Sequence, residues 1–228
     1  MRRRRLRFYR TFIKRGDLVI DVGANIGERS ELFLALGAKV VAVEPQKECA
    51  EHLRRRFGDQ PGFVLFEGGC ADRPGDAELF VGDADTLSSM SATWIDRMRG
   101  SGRFASHDWH ETRVVPTTTL DSLIADHGVP AFVKIDVEGF EAQVLAGLSR
   151  PVRCLSVEWA RESLSITAGC VKQLDALGMT RFNVSYGEAT SWGLQNWVEA
   201  NEVERILGSG TDPLAWGDVY ARTTSDGA

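Results

Sequence analysis

Two stretches of this 228-residue chain concentrate residue types that do chemistry. The first is Asp21-Val-Gly-Ala-Asn-Ile-Gly27, set between an apolar run and a helical pattern. Glycine at such a turn lets backbone approach a ligand and adopt angles closed to other residues. The helix behind it points unpaired N–H groups toward the same place. Gly23 and Gly27 lack the third glycine of a G-x-G-x-x-G dinucleotide turn, and no Gly-Lys-Ser/Thr follows as in a phosphate loop. The turn suits a ligand with a nucleoside at one end and an amino acid at the other, whose ammonium Asp21 could meet. Glu44 ends the next apolar run, about 20 residues on, where an acid accepts from ribose hydroxyls. Pro45 closes that run. A loop glycine pair beside a surface acid is the plainer reading, but the flanking strand, helix and Glu44 together favour a nucleoside. After the third apolar run, residues Gly68 to Asp72 could border the base, with Asp72 as acceptor for its amino group, or form a plain turn.

The second stretch is Phe132-Val-Lys-Ile-Asp-Val-Glu-Gly139. Lys134, Asp136 and Glu138 alternate with Val133, Ile135 and Val137, so in a strand all three charges share one face. A charge in an apolar strand is costly unless paired or solvated in a cleft, which leaves two readings: a structural Lys–carboxylate pair, or a catalytic set facing a crevice. Glu158 ends the next strand and would lie beside them. Such acids can take a proton from an acceptor, or with Glu158 hold a divalent cation. The visible ligand set is only shared strand ends, which favours a metal-free site. His107 and His110 are further candidate bases, although an H-x-x-H pair in a polar loop is more often surface decoration. Ser88, Ser89 and Ser91 interleave with Met90, and Trp94, Phe104 and Trp109 follow. This patch could line an acceptor pocket or simply pack its own aromatics.

These residues need strand ends to carry them, and the pattern supplies strands. Asp17–Gly23, Lys39–Glu44, Phe63–Phe66, Ala131–Val137 and Cys154–Glu158 read as buried strands. They alternate with helices at Asn25–Leu36, Cys49–Phe57, Leu120–His127, Phe140–Leu148 and Ser163–Leu177. Such alternation predicts an α/β fold, a mostly parallel sheet with helices on both faces. Residues 72–118 break the rhythm and read as an insertion over the sheet edge, with strands at Ala77–Val81 and Thr112–Val115 and a helix at Ser91–Arg99. The tail holds strands Arg181–Tyr186 and Gly217–Ala221 around a helix, Val198–Leu207. No linker or repeat divides the chain, so residues 1–228 read as one domain.

Composition is ordinary for a globular chain, 43% apolar and 26% charged. The net charge of −5 argues against general nucleic-acid binding. The exception is the N-terminal segment 1–15, where Arg2, Arg3, Arg4, Arg5, Arg7 and Arg10 crowd together. This run reads as a solvated tail or exposed helix face, dispensable to a fold whose first core strand begins near Asp17. No signal-peptide core or membrane span is visible, and Cys49, Cys70, Cys154 and Cys170 form no C-x-x-C pair. A cytoplasmic protein with reduced thiols is expected.

Four segments together carry a resemblance. VIDVGANIG, the strand end VEP, the segment TTTLDSL and above all KIDVEGFEAQVLAGL resemble the FkbM family of S-adenosylmethionine-dependent methyltransferases, from about Gly16 to Trp159. The resemblance implies a Rossmann-like class I methyltransferase fold, with seven strands of which one runs antiparallel near an edge. It implies S-adenosylmethionine as cofactor, held by Asp21, Gly23, Asn25, Gly27 and Glu44, with Asp136 and Glu138 at the methyl-transfer site. It further implies O-methylation of a hydroxyl on a sugar or other small molecule. A non-catalytic nucleoside-binding module and an RNA methyltransferase are the alternatives. The segment Asp85 to His110 and the tail beyond Trp159 match the family pattern poorly, so the acceptor is not named by it.

Overall fold

Strands that are apolar at every position need cover on both faces, because successive side chains point to opposite sides. The computed structural model describes residues 2–83, 87–101, 107–189 and 191–224, the side chains of residues 100 and 101 apart. The chain opens with α1 (Arg2–Tyr9), then alternates β1 (Leu18–Val22), α2 (Glu28–Ala35), β2 (Lys39–Val43), α3 (Lys47–Phe57) and β3 (Phe63–Phe66). Next come β4 (Gly69–Cys70), β5 (Gly75–Gly82), α4 (Ala92–Ser101) and β6 (Trp109–Thr118). The alternation resumes with α5 (Leu120–His127), β7 (Phe132–Ile135), α6 (Glu141–Ala146), β8 (Cys154–Ala160) and α7 (Leu164–Ala176). β9 (Arg181–Val184), α8 (Ala200–Ser209) and β10 (Trp216–Arg222) complete it.

Seven strands form one sheet in the order β3-β2-β1-β7-β8-β10-β9, in which β10 runs antiparallel to both neighbours. The other pairings are parallel. Strand order reverses between β1 and β7, and the crevice beyond the carboxyl ends there is where open α/β sheets bind ligands.

The two faces sort by residue parity. Val19, Val40, Ala42 and Phe132 pack against Phe8 and Tyr9 of α1, Leu32 and Phe33 of α2, and Leu53 and Phe57 of α3. Ile20, Val41, Val133, Ile135 and Val157 face Leu120 and Leu123 of α5, Val144 of α6, Val171 and Leu174 of α7 and Val203 of α8. The expected α/β sandwich is therefore present, with helices on both faces.

Three expectations need correction. The helix after the glycine turn begins at Glu28, not Asn25, because Asn25 (φ 50°) and Gly27 (φ 84°) are left-handed. The strand expected over Ala131–Val137 ends at Ile135, and Glu138 (φ 51°) has already left extended geometry. Lys134, Asp136 and Glu138 thus do not share one strand face. The N-terminal arginine run is the exposed face of α1, as one of the two readings has it, with Arg2, Arg3, Arg4, Arg7 and Arg10 exposed, but the segment is not dispensable to the core. Phe8 and Tyr9 are buried in the core, edge-on to Tyr220 and Phe33 respectively.

Residues 72–118 contribute β5 and β6, which with β4 form a second, three-stranded sheet. The Leu87–Trp94 stretch crosses the carboxyl end of β7: the Ser89 hydroxyl donates to the Glu138 carbonyl at 2.6 Å. Trp94 lies against Gly139, where any side chain would collide with the indole. Trp94 packs edge-on to Trp109, whose indole N–H donates to the Leu87 carbonyl at 2.6 Å. Phe104 lies outside the described residues.

Candidate active site

A cavity of about 460 Å³ opens at the carboxyl ends of β1, β2, β7 and β8, beneath the Leu87–Trp94 stretch. Gly23, Ala24 and Asn25 form part of its lining. Gly23 has φ 79°, and a side chain there would collide with the Asp136 carbonyl. Only bare backbone lets these two strand ends approach so closely.

Glu44 is 2% exposed and lines the cavity from the end of β2. One carboxylate oxygen accepts from the Asn25 N–H at 2.7 Å and the other from the Gln46 N–H at 2.8 Å. The Gln46 side chain adds a third hydrogen bond, which leaves the carboxylate, with about four lone-pair directions, one for a ligand hydroxyl. Burial lifts the carboxyl to about 7, against the pull of the backbone hydrogen bonds. Leu79, Leu87, Met90 and Trp94 supply an apolar wall.

The charged floor lies between β7, β8 and β10. The Lys134 ammonium, 3% exposed, donates to Asp136 at 3.0 Å and to Asp218 of β10 at 3.2 Å. Burial opposes that charge, and the two aspartates outweigh it, so the ammonium stays protonated. Burial likewise disfavours an ionised Asp136, but the adjacent Lys134 holds its carboxyl below the usual range. Glu158 behaves oppositely: burial, then the Asp136 and Glu138 charges, push it well above the ordinary carboxylate range. The two neighbouring carboxyls are thus biased oppositely, Asp136 toward its ionised form and Glu158 toward its protonated one. Asp136, Glu138 and Glu158 bring oxygens within 4.8 Å of one another, a spacing that also admits a cation.

Residues 21–163 match the Methyltransferase FkbM domain family. The chain belongs to that family. A hexuronic acid methyltransferase, AglP of Haloferax volcanii, is 26% identical over 61% of this chain, and the match spans about half (53%) of AglP. A ribosomal RNA small subunit methyltransferase A of Synechococcus sp. (strain JA-2-3B'a(2-13)) is 44% identical, but over 22% of this chain and 18% of that protein. Among solved structures, a precorrin-6y C5,15-methyltransferase of Geobacter metallireducens matches with TM-score 0.53 at 11% identity, over 98% of this chain and 87% of that one. A precorrin 8w decarboxylase of Methanobacterium thermoautotrophicum matches with TM-score 0.52 at 12% identity, over 97% and 89%. These likenesses establish the class I methyltransferase fold.

S-adenosylmethionine is the cofactor of this FkbM domain, and the cavity fits it. Bare backbone at Gly23, the Glu44 carboxylate and the apolar wall suit an adenosine with an amino-acid tail. The expected cofactor residues divide in space. Gly23, Asn25 and Glu44 line the cavity. Asp21 shares the α2 face of the sheet, is 1% exposed and accepts from the Ser30 hydroxyl at 2.6 Å, so it braces the turn from below. Gly27 packs on Leu53 and Phe57. Asp72 is exposed and outside the lining, whereas Gly69 and Cys70 are within it. His107 binds Asp83 at 2.7 Å and His110 is exposed beside Asp108; neither lines the cavity.

Several residues of the candidate site escaped the sequence reading. Asp218 sits in a tail strand where an acid between Gly217 and Val219 was the available signal. Glu141 is 4% exposed and accepts from the Gly139 N–H at 3.1 Å, pinning the turn that carries Glu138. Arg29 and Glu188 line the cavity from elements far apart in sequence, and nothing local marked them.

Proposed function

We propose that this chain transfers the methyl group of S-adenosylmethionine to a hydroxyl oxygen of a sugar or similar small molecule. One observation carries the reading: Asp136 lines the cavity floor with the buried Lys134 ammonium 3.0 Å away, a neighbour that favours the ionised carboxylate a base needs, and with Glu158 beside it. The cofactor, when bound, supplies a sulfonium methyl that is already electrophilic. The chain's own work is alignment, exclusion of water and removal of the acceptor's proton. Lys134 keeps Asp136 charged, Glu158 orients it, and an Asp136 carboxylate oxygen takes the hydroxyl proton. Leu87, Met90 and Trp94 keep water from the reacting atoms.

The same acids disfavour a carboxylate acceptor, which would need no base and would be repelled by Asp136 and Glu138. The relation to AglP supports a sugar-class acceptor. Trp216 and Ser163, on the β8–β10 side away from Glu44, offer it an aromatic face and a hydroxyl. The partial match to ribosomal RNA methyltransferases keeps an RNA acceptor as the second reading, against which the net charge of −5 speaks. Four buried free cysteines favour a reducing, cytoplasmic setting. Among the described residues no helix is long and apolar enough to cross a membrane.

The test is transfer of labelled methyl from S-adenosylmethionine to a panel of neutral and acidic saccharides. Label that resists mild alkali is an ether and supports the proposal. Label released as methanol is an ester and overturns it.

A further inference from the structure

Arg29, in the first turn of α2, reaches back over the cavity with a side chain only 18% exposed. Its Nη2 donates to Glu188 Oε2 at 2.6 Å. Arg5 of α1 donates to that same oxygen at 2.7 Å and reaches Glu28 at 3.4 Å. The Arg5 side chain is 14% exposed, and its buried Nε has no acceptor among the described residues. Two shielded guanidiniums therefore converge on one oxygen of a carboxylate that is itself 40% exposed and lies in the turn after β9. That is more donor capacity than Glu188 uses, since each guanidinium carries five N–H groups in a fork suited to carboxylates.

The position has a direction. Glu44 marks the nucleoside end on β2, and Gly23, packed directly against the Asp136 backbone, joins that end of the cavity lining to Asp136. Arg29 lines the same cavity beside the charged floor, close enough to Lys134 and Asp218 for their charges to interact. We infer that Arg29, supported by Arg5, holds the α-carboxylate of the cofactor's methionine end, and that Glu188 is an internal carboxylate which the cofactor displaces. This rests on S-adenosylmethionine being the ligand, and it assigns a role to three residues that the glycine turn and Glu44 do not cover.

A bland alternative is an ion pair that merely clips the β9 turn to α1 and α2. Calorimetry with two probes separates them: S-adenosylhomocysteine, which has the carboxylate, and 5′-methylthioadenosine, which lacks it. Loss of a charge-assisted hydrogen bond predicts that Arg29→Gln weakens S-adenosylhomocysteine by roughly tenfold or more, with methylthioadenosine within about twofold. Glu188→Gln removes the competitor, so S-adenosylhomocysteine should bind more tightly while methylthioadenosine stays unchanged. A clip makes a different forecast: both variants weaken both probes together, or neither does, and either result overturns the assignment. Unchanged affinities with a raised KM for an acidic acceptor would also overturn it, moving the site to the acceptor. Wild-type protein is the reference: if it binds neither probe, the methyltransferase reading itself falls, which is a separate failure.

Discussion

Asp136 and Glu158, at the ends of adjacent parallel strands, are pushed in opposite directions: Lys134 holds the Asp136 carboxyl below the usual carboxylate range, while burial and the neighbouring acids push Glu158 well above it. The asymmetry comes from Lys134, which donates to Asp136 at 3.0 Å and makes that carboxyl the cheaper one to ionise. Two like acids in one pocket cannot both ionise without cost, and the lysine decides which does.

Replacement of Asp136 by Asn keeps the shape and removes the charge. Turnover is expected to fall by roughly 10²-fold or more, with S-adenosylhomocysteine affinity within a few-fold. Lys134 retains Asp218 at 3.2 Å, so the loss of stability should stay below the ~3–5 kcal/mol typical of a fully orphaned buried charge. Melting temperature, affinity and turnover on one preparation check this. A destabilised protein with near-normal activity in its folded fraction would assign Asp136 a purely structural role. EDTA on the wild type is expected to leave activity intact. Loss restored by Mg²⁺ would recast Asp136, Glu138 and Glu158 as ligands.

Gly23→Ala places a methyl group where the Asp136 carbonyl lies and forces a residue with φ 79° to carry a side chain. Cofactor binding should drop by more than tenfold. Glu44→Gln should weaken S-adenosylhomocysteine by roughly 1–3 kcal/mol through loss of a buried acceptor. Titration calorimetry reads both. Wild-type affinity in Gly23→Ala would move the cofactor away from this turn.

Burial lifts both Glu44 and Glu141 to about 7 from an ordinary 4.5. Between those values the folded protein keeps protons that the unfolded chain has released. Linkage then makes stability fall as pH rises through that window. Ligand-free protein should therefore gain from these two groups at pH 5.5 relative to pH 8. Thermal melts of wild type, Glu44→Gln and Glu141→Gln across that range are the check. Each variant should show a smaller decline with pH, and identical slopes in all three would refute the assignment.

α1 belongs to the core through Phe8 and Tyr9. Phe8→Ala should cost about 3–5 kcal/mol. Removal of residues 1–5 forfeits the ion pairs of Arg5, so a small fall in melting temperature replaces the indifference expected of a tail. Melting of the two variants against wild type separates these contributions. Equal, negligible effects would return α1 to the status of an appendage.

Much of this molecule is legible in its residue order because the signals are local. A glycine turn after an apolar run, an acid at a strand end and short continuous apolar runs spaced by helical patterns are all written within short windows. They suffice for the mostly parallel sheet and for singling out Gly23, Asn25, Glu44, Lys134 and Asp136, which the fold brings to one cavity. Boundaries slipped where backbone left its expected region, at Asn25, Gly27 and Glu138: Asn and Gly permit a left-handed angle without requiring it, and Glu gives no hint of one.

Charge roles were decided only by packing. Asp21 and Glu44 are both acids at strand ends, yet one is tied beneath α2 to Ser30 while the other faces the cavity. Asp218 lies 84 residues from Lys134 and meets it because β10 inserts antiparallel between β8 and β9. Arg5, Arg29 and Glu188 converge from α1, α2 and the turn after β9. Local sequence determines which elements form and what faces they bury. Which charges meet depends on contacts between residues distant in the chain, and so does which carboxyl keeps its proton, because burial and neighbouring charge set that balance only once the chain has folded.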